Sequence, residues 1–200
     1  MAAKTDPFQG AHIVGKVKGT LLVARMKYLR SRGAESEERV LRRLSAADQA
    51  VVRGDLDPSG WYPADLLLRL DMTMVALLAS GERGRLFLEM GRFSAEASLA
   101  PGGVQRPFLR EGDPHHLLSS VPAIHSAEHG IGRRTCERTG ERGAIVRTFD
   151  GGEADAEECL TAVGWLQRAI ELSGGREAQV VETQCRARGA AHCEYRCSWA

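Results

Sequence analysis

Three cysteines and one carboxylate in the C-terminal part of the chain have the chemistry of a metal site. Cys159 is followed by Glu182, Cys185 and Cys193. Thiolate sulfur and carboxylate oxygen are ligands that Zn²⁺ accepts in tetrahedral sites. A zinc ion held by four protein ligands has no open position for a substrate, so it stabilises a fold and does not catalyse a reaction. We therefore expect a structural zinc site and a protein that is not an enzyme.

A closing β-hairpin would bring two of these cysteines together. The sequence pattern predicts strands over 178–187 and 192–199, with the turn at Gly189. Cys185 and Cys193 then lie opposite each other on one face, with their Cβ atoms roughly 5 Å apart. That separation suits two thiolates bound to one zinc ion.

The other two ligands would come from different positions. Cys159 falls in the first turn of a helix predicted over 153–172, where the positive end of the helix dipole favours a thiolate. Glu182 and His192 are the candidates for the fourth ligand. Strand alternation turns both side chains away from the cysteine face, unless a β-bulge intervenes. The residues alone leave this choice open.

The order of the remaining elements predicts an α+β fold. N-terminal helices pack on a C-terminal antiparallel sheet that carries one long helix and the zinc-stapled closing hairpin. After a flexible arm over 1–14, residues 15–200 form a single domain, with a helical part over 15–100 and a sheet and zinc part over 101–200. The hydrophobic pattern predicts helices over 19–32, 35–44, 45–54, 64–80, 84–99 and 115–124, and strands over 129–138 and 144–150.

Composition narrows the classes of partner. The chain has 200 residues, is 43% hydrophobic and carries a formal net charge of +1, so it can form a core and offers no basic stripe for nucleic acid. No apolar run reaches the roughly 18 residues of a membrane span, and the N-terminus lacks a signal-peptide pattern. We expect a cytoplasmic protein, in which reduced thiols favour a metal over disulfides.

The segment between Cys159 and Tyr195 resembles the 4-vinyl reductase domain. The resemblance depends on Cys159, on Glu182-Thr-Gln-Cys185, and on Cys193 followed by a short aromatic strand. That domain occurs in bacterial small-molecule sensors, including the aromatic-sensing region of phenol-responsive activators. The resemblance implies that Cys159, Glu182, Cys185 and Cys193 bind zinc.

The whole chain also resembles a family of proteins of about this length that is abundant in myxobacteria. Three segments carry the likeness: Val17-Lys-Gly-Thr20, Trp61-Tyr-Pro63 and Cys159-Leu-Thr-Ala-Val-Gly-Trp165. Both groups look related to the fold that haem–NO-binding domains share with TRAPP-type trafficking subunits. The resemblance implies helices packed on an antiparallel sheet around an apolar pocket, and it leaves the biochemical function open.

The histidines suggest two further chemistries that we rank last. His125, Glu128 and His129 match H-x-x-E-H, the inverted zinc-protease motif, but the segment is predicted to be a loop. Haem–NO-binding domains use a proximal histidine and a Tyr-x-Ser-x-Arg motif that contacts the haem propionates. This chain has no such motif. We therefore expect neither a metalloenzyme nor a haem-based gas sensor.

These observations together predict a regulatory or sensor domain. It would bind a small apolar or aromatic ligand in an internal pocket and signal through a partner protein or a homodimer. The alternative is a trafficking-subunit-like interaction or scaffold protein whose pocket is filled by its own core. The expected pocket residues are Trp61, Tyr62, Met72, Met74, Phe87 and Phe93.

Overall fold

A computed structural model describes residues 15–150 and 156–200 and confirms the α+β class. The predicted arm over 1–14 lies outside the described residues. The helices are α1 (Gly19–Ser31), α2 (Ala34–Leu41), α3 (Ala46–Arg53), α4 (Ala64–Leu78), α5 (Arg83–Leu99), α6 (Pro114–Glu128) and α7 (Cys159–Leu172), with 3₁₀ turns at Arg106–Phe108 and Arg186–Arg188. The strands are β1 (Lys16–Lys18), β2 (Trp61–Pro63), β3 (Arg133–Gly140), β4 (Gly143–Phe149), β5 (Gln179–Gln184) and β6 (Cys193–Ser198).

Two helices begin at side-chain caps that the sequence provides. The Ser45 side chain accepts a hydrogen bond from the backbone N–H of Asp48 at the start of α3. The Asp113 carboxylate accepts one from the backbone N–H of His116 at the start of α6. Each cap satisfies a backbone donor that has no partner within the first turn of its helix.

The segment Trp61–Pro63 is a short strand that comes directly before α4. These residues form β2, which pairs with β1 in antiparallel register, and α4 begins one residue later at Ala64. The residue before a proline is restricted to extended backbone, which suits a strand at Tyr62. The two-stranded ribbon of β1 and β2 thereby joins the start of α1 to the start of α4.

The main sheet carries the C-terminal half of the fold. Its strand order is β3-β4-β6-β5, and every neighbouring pair is antiparallel. The inner face of the sheet packs against α7, where Val146 and Tyr195 join Leu166 and Ile170 in one apolar cluster. A register shift between Glu182 and Gln184 marks a β-bulge in β5.

Helices α5 and α7 approach each other closely through two glycines. A Cβ atom on Gly91 would lie 2.1 Å from the backbone oxygen of Thr161. A Cβ atom on Gly164 would lie 2.2 Å from the backbone oxygen of Leu88. Neither position has room for a side chain, so these glycines set the distance between the helical part and the sheet part.

Helix α6 is longer than the sequence predicts. It continues through Pro122 to Glu128, so His125 and Glu128 lie on a helix and not in a loop. Proline removes only one backbone donor, and buried side chains on both sides of it, Val121 and Ile124, hold the helix against the core. The apolar contacts outweigh the lost hydrogen bond.

Candidate functional site

The metal cluster expected from the sequence is assembled in the structure. Ligand atoms of Cys159, Glu182, Cys185 and Cys193 all lie within 4.8 Å of one another. The Sγ atom of Cys159 is 3.7 Å from that of Cys193 and 3.9 Å from that of Cys185. A tetrahedral zinc ion with Zn–S bonds of about 2.3 Å holds its sulfurs about 3.8 Å apart. The donor set and its spacing therefore fit a tetrahedral metal ion.

The β-bulge in β5 places Glu182 beside the three cysteines. By register Glu182 pairs with Tyr195, which places it on the inner face, and the bulge at the next position brings Cys185 to that face as well. The Glu182 Oε1 atom is buried and has no hydrogen-bond partner in the part of the chain that the structure describes. His192 stacks on Phe149 with ring centroids 5.0 Å apart and lies outside the cluster. Glu182 is thus the carboxylate that joins the three cysteines.

Burial and mutual repulsion govern the acidity of these thiols. The pKa of Cys159 is raised first by burial and then by the neighbouring Cys193 and Glu182. Burial also raises the pKa of Cys185. The raised pKa values of Cys159 and Cys185 favour their thiol forms in the absence of a cation, and a bound cation would favour the thiolates.

A large cavity lies between the helical part and the sheet. Its volume is about 720 Å³, within the range of 300–1,000 Å³ that is typical of ligand sites. Apolar side chains from several elements form much of its wall, among them Leu21, Leu67, Ile124 and Trp165. Cys159 and Cys193 also line it, so the metal cluster is part of the cavity wall.

His125 of α6 and His129, the residue that follows this helix, lie in the cavity wall. The ring of His125 is buried, and among residues 15–150 and 156–200 neither of its nitrogens has a hydrogen-bond partner. Its pKa is lowered to about 4, chiefly by burial and then by Arg134, while the nearby Ile131 backbone opposes the shift in part. The ring of His129 is stacked on it, and burial lowers its pKa well below the usual value. Both imidazoles are neutral at pH 7, the form that binds metals.

Arg134 is a partly buried cation on the same wall. Its Nε atom donates a hydrogen bond to the Thr148 hydroxyl at 3.1 Å, and among residues 15–150 and 156–200 it forms no ion pair. Burial lowers its pKa from the ordinary value of a guanidinium. Glu128 lies nearby with a pKa raised by burial, and the Thr20 hydroxyl donates a hydrogen bond to its Oε1 atom. A ligand carboxylate would find an available positive partner in Arg134.

A second charged side chain of the cavity wall, Arg25, has its hydrogen-bond partners within the protein. Arg25 Nε donates to Asp71 Oδ1 at 2.7 Å, and Arg25 Nη1 donates to the Ser94 hydroxyl at 2.7 Å. Both charged side chains are more than nine-tenths buried. Sequence reasoning missed Arg25 and Asp71, although a charge at a core position of a helix is a signal that could have found them.

The cavity does not lie beside the aromatic and methionine residues that we expected to line it. None of the six expected pocket residues lines it. Met74 and Phe87 are fully buried in the helical core, where Tyr62, Met72 and Phe93 pack against them, and Trp61 is 43% exposed. These side chains fill space among the helices, whereas smaller apolar side chains leave the cavity open.

Comparison with known proteins relates the fold to H-NOX domains. A mutant Fe(II) unliganded H-NOX protein from K. algicida has a TM-score of 0.65 and 11% identity, covering 92% of this chain and 96% of that one. An H-NOX protein from S. oneidensis in the Fe(II)NO ligation state has a TM-score of 0.67 and 16% identity, covering 92% and 99%. A structure from a study of haem distortion in the H-NOX family has a TM-score of 0.67 and 12% identity, covering 91% and 94%. No family model and no curated protein matches the chain.

These comparisons establish the fold and correct the expected function. The chain has the haem–NO-binding fold, and the 4-vinyl reductase resemblance is not shown. The prediction of a zinc-stapled sensor without haem is wrong. The structural neighbours are haem-binding H-NOX proteins, whereas we expected a haem-based gas sensor least of all. The same finding overturns zinc as the sole cofactor. The alternative of a filled pocket is also wrong, since the cavity is open.

The structure bears on some of the remaining expectations and leaves the others as predictions. Among residues 15–150 and 156–200, no helix is long and apolar enough to cross a membrane. The inverted zinc-protease motif forms no three-ligand cluster in these residues, because His125, Glu128 and His129 do not bring their ligand atoms together. The partner protein or homodimer and the cytoplasmic location stay predictions.

Proposed function

We propose that this chain is a haem-binding gas-sensor domain, with haem in the internal cavity and His125 as its axial ligand. One observation carries the proposal: a buried imidazole, whose two nitrogens have no hydrogen-bond partner among the described residues, lies in the wall of a cavity of about 720 Å³. An unsatisfied buried polar group is costly, and coordination to iron would satisfy it. The H-NOX fold of the neighbours supports the same ligand.

The residues of the wall fit a flat apolar group with carboxylate substituents. Ile124 and Trp165 supply apolar surface for the macrocycle. Arg134, which makes no ion pair within the described residues, would hold a propionate through charge-assisted hydrogen bonds. Haem iron with one axial imidazole keeps a position at which a diatomic gas binds. The neutral state of His125 is the form that ligates iron.

The absence of a Tyr-x-Ser-x-Arg sequence does not exclude this role. Arg134 on β3 places a guanidinium on the cavity wall without that motif. Tyr195 on β6 brings a buried phenol to the same wall. Side chains from two strands that are distant in sequence thus provide the polar groups, which a local motif search does not detect.

Haem titration tests the proposal. Purified apoprotein is titrated with haemin, reduced under anaerobic conditions and exposed to NO, while the absorption spectrum is recorded. We expect one haem per chain and a spectral change with NO. His125→Ala should lose the axial-histidine spectrum, and free imidazole should restore it. His116→Ala, on the same helix but outside the cavity wall, is the control. A wild-type protein that binds no haem stoichiometrically would refute the proposal.

We also propose that Cys159, Glu182, Cys185 and Cys193 bind one metal ion in addition to the haem. The sulfur separations of 3.7 and 3.9 Å and the buried, unpartnered Glu182 oxygen support this site. With four protein ligands the ion would be structural. Elemental analysis of protein purified without added metal tests it, and one tetrahedrally bound ion per chain is expected.

A further inference from the structure

The geometry points to His129 as a positioning residue that holds the ring of His125 in the orientation needed for ligation. This inference rests on the proposed ligation of haem by His125. It assigns a separate role to His129, at the C-terminal end of α6, and gives the cavity ligand a direct connection to β1.

Within the described residues, His125 lacks the hydrogen bond that usually orients a metal-ligating imidazole. A metal-bound histidine commonly donates its second ring N–H to a carboxylate or a carbonyl, which fixes the ring plane. Within the described residues neither ring nitrogen of His125 has such a partner at hydrogen-bonding geometry, although the Ile131 backbone is near enough to act on its pKa. Some other contact must therefore fix the rotation of this ring about its side-chain bonds.

The ring of His129 provides that contact. Its centroid lies 4.4 Å from that of His125, and the two planes are inclined by only 21°. Two neutral rings stack in this way without the repulsion that two imidazolium ions would have. A flat neighbour on one face restricts the tilt of the His125 plane and leaves its edge, with the nitrogens, available.

The backbone fixes His129 from two sides. Its N–H donates to the carbonyl oxygen of His125 at 2.8 Å, which belongs to the last turn of α6. On the other side, His129 forms an antiparallel bridge with Val17 of β1. The N–H of Gly130 donates to the carbonyl oxygen of Lys16 at 2.8 Å. The stacked ring is thus attached to β1, and a movement of His125 on ligation would be passed to that strand.

Two substitutions at His129 separate ring stacking from simple filling of space. His129→Phe keeps a flat ring that cannot ligate iron, and His129→Leu fills a similar volume without a flat ring. In haem-loaded protein we expect His129→Phe to keep the wild-type iron–histidine stretching band in the resonance Raman spectrum. We expect His129→Leu to shift or broaden this band and to raise the haem dissociation rate several-fold, with one haem still bound per chain.

The outcomes distinguish this inference from the function on which it rests. A His129→Leu spectrum identical to that of the wild type would overturn the positioning role. Loss of the iron–histidine band in His129→Phe, together with its retention in His125→Ala, would show that His129 is the ligand and would also overturn it. If the wild type binds no haem, NMR of ¹⁵N-labelled imidazoles in the apoprotein still decides whether His129→Leu releases the His125 ring. Sharp, unchanged His125 signals in that variant would count against the inference.

Discussion

The Sγ atoms of Cys159 and Cys193 lie 3.7 Å apart, although 34 residues separate them in the sequence. One belongs to the first turn of α7 and the other to the first residue of β6. Two sulfurs on a tetrahedral zinc ion are about 3.8 Å apart. The folded chain therefore holds these sulfurs at the separation a metal requires, at the point where the helix meets the sheet.

Replacement of Cys193 by serine should remove the metal and destabilise the fold. Metal-binding free energy contributes directly to folding free energy, so the loss of one ligand lowers both. We expect the metal content of Cys193→Ser to fall well below that of the wild type, and its melting temperature to become insensitive to a chelator. Cys136→Ser, at a cysteine outside the cluster, is the control and should keep its metal. Equal metal content in both variants would argue against the site.

The buried pair Arg25–Asp71 should respond differently to single and double replacement. Asp71→Ala leaves a buried guanidinium without its carboxylate, which costs about 3–5 kcal/mol of unfolding free energy. The double variant Arg25→Met/Asp71→Leu replaces the pair by apolar groups and should lie within about 1 kcal/mol of the wild type or above it. Denaturant titration of the three proteins measures both effects. A double variant as unstable as the single one would mean that the pair itself is strongly stabilising.

The contact between α5 and α7 should not tolerate a methyl group. In Gly91→Ala the new Cβ atom would lie 2.1 Å from the Thr161 backbone oxygen, so the helices must move apart. Overpacking of this kind costs about 1–3 kcal/mol, which thermal or chemical unfolding detects. Gly140→Ala is the matched control, because no atom lies within 4 Å of its added Cβ, and its stability should change by under about 1 kcal/mol.

Acidification should destabilise the apoprotein through His125. Its pKa is about 4 in the folded state and about 6.5 when unfolded, so the unfolded state binds the proton first. Its contribution is complete above about pH 6.5 and is lost as pH falls toward 4, by roughly 3 kcal/mol in total. Glu128 acts in the opposite sense because its pKa is raised. Unfolding at several pH values in the wild type and in His125→Phe isolates the histidine effect, and parallel curves would contradict it.

The sequence was sufficient for the fold class, and it indicated the cysteines that the fold brings together. Alternating and helical periodicity indicated the order of elements, and the pairing of Cys185 with Cys193 followed from the turn at Gly189. The choice of Glu182 over His192 did not follow from the residues, because it depends on the bulge in β5. A bulge depends on tertiary contacts, which strand alternation cannot reveal.

The cavity was beyond sequence reasoning for a physical reason. Large aromatic and methionine side chains such as Phe87 and Met74 indicated a pocket, yet they fill the helical core. An open space forms where side chains fail to meet, and that depends on the distance between packed elements. The lack of a hydrogen bond to the His125 nitrogens within the described residues likewise depends on the three-dimensional positions of the neighbouring groups.

The close approach of α5 and α7 at Gly91 and Gly164 determines which parts of the molecule are free to respond to a ligand. Because backbone packs against backbone at two points, these two helices can move little relative to each other where they join the helical part to the sheet. Filling of the cavity then has to be accommodated by its remaining walls, chiefly α1, α4 and α6. Helices α5 and α7 would then stay in place during a conformational change, and the ribbon of β1 and β2 would move relative to them.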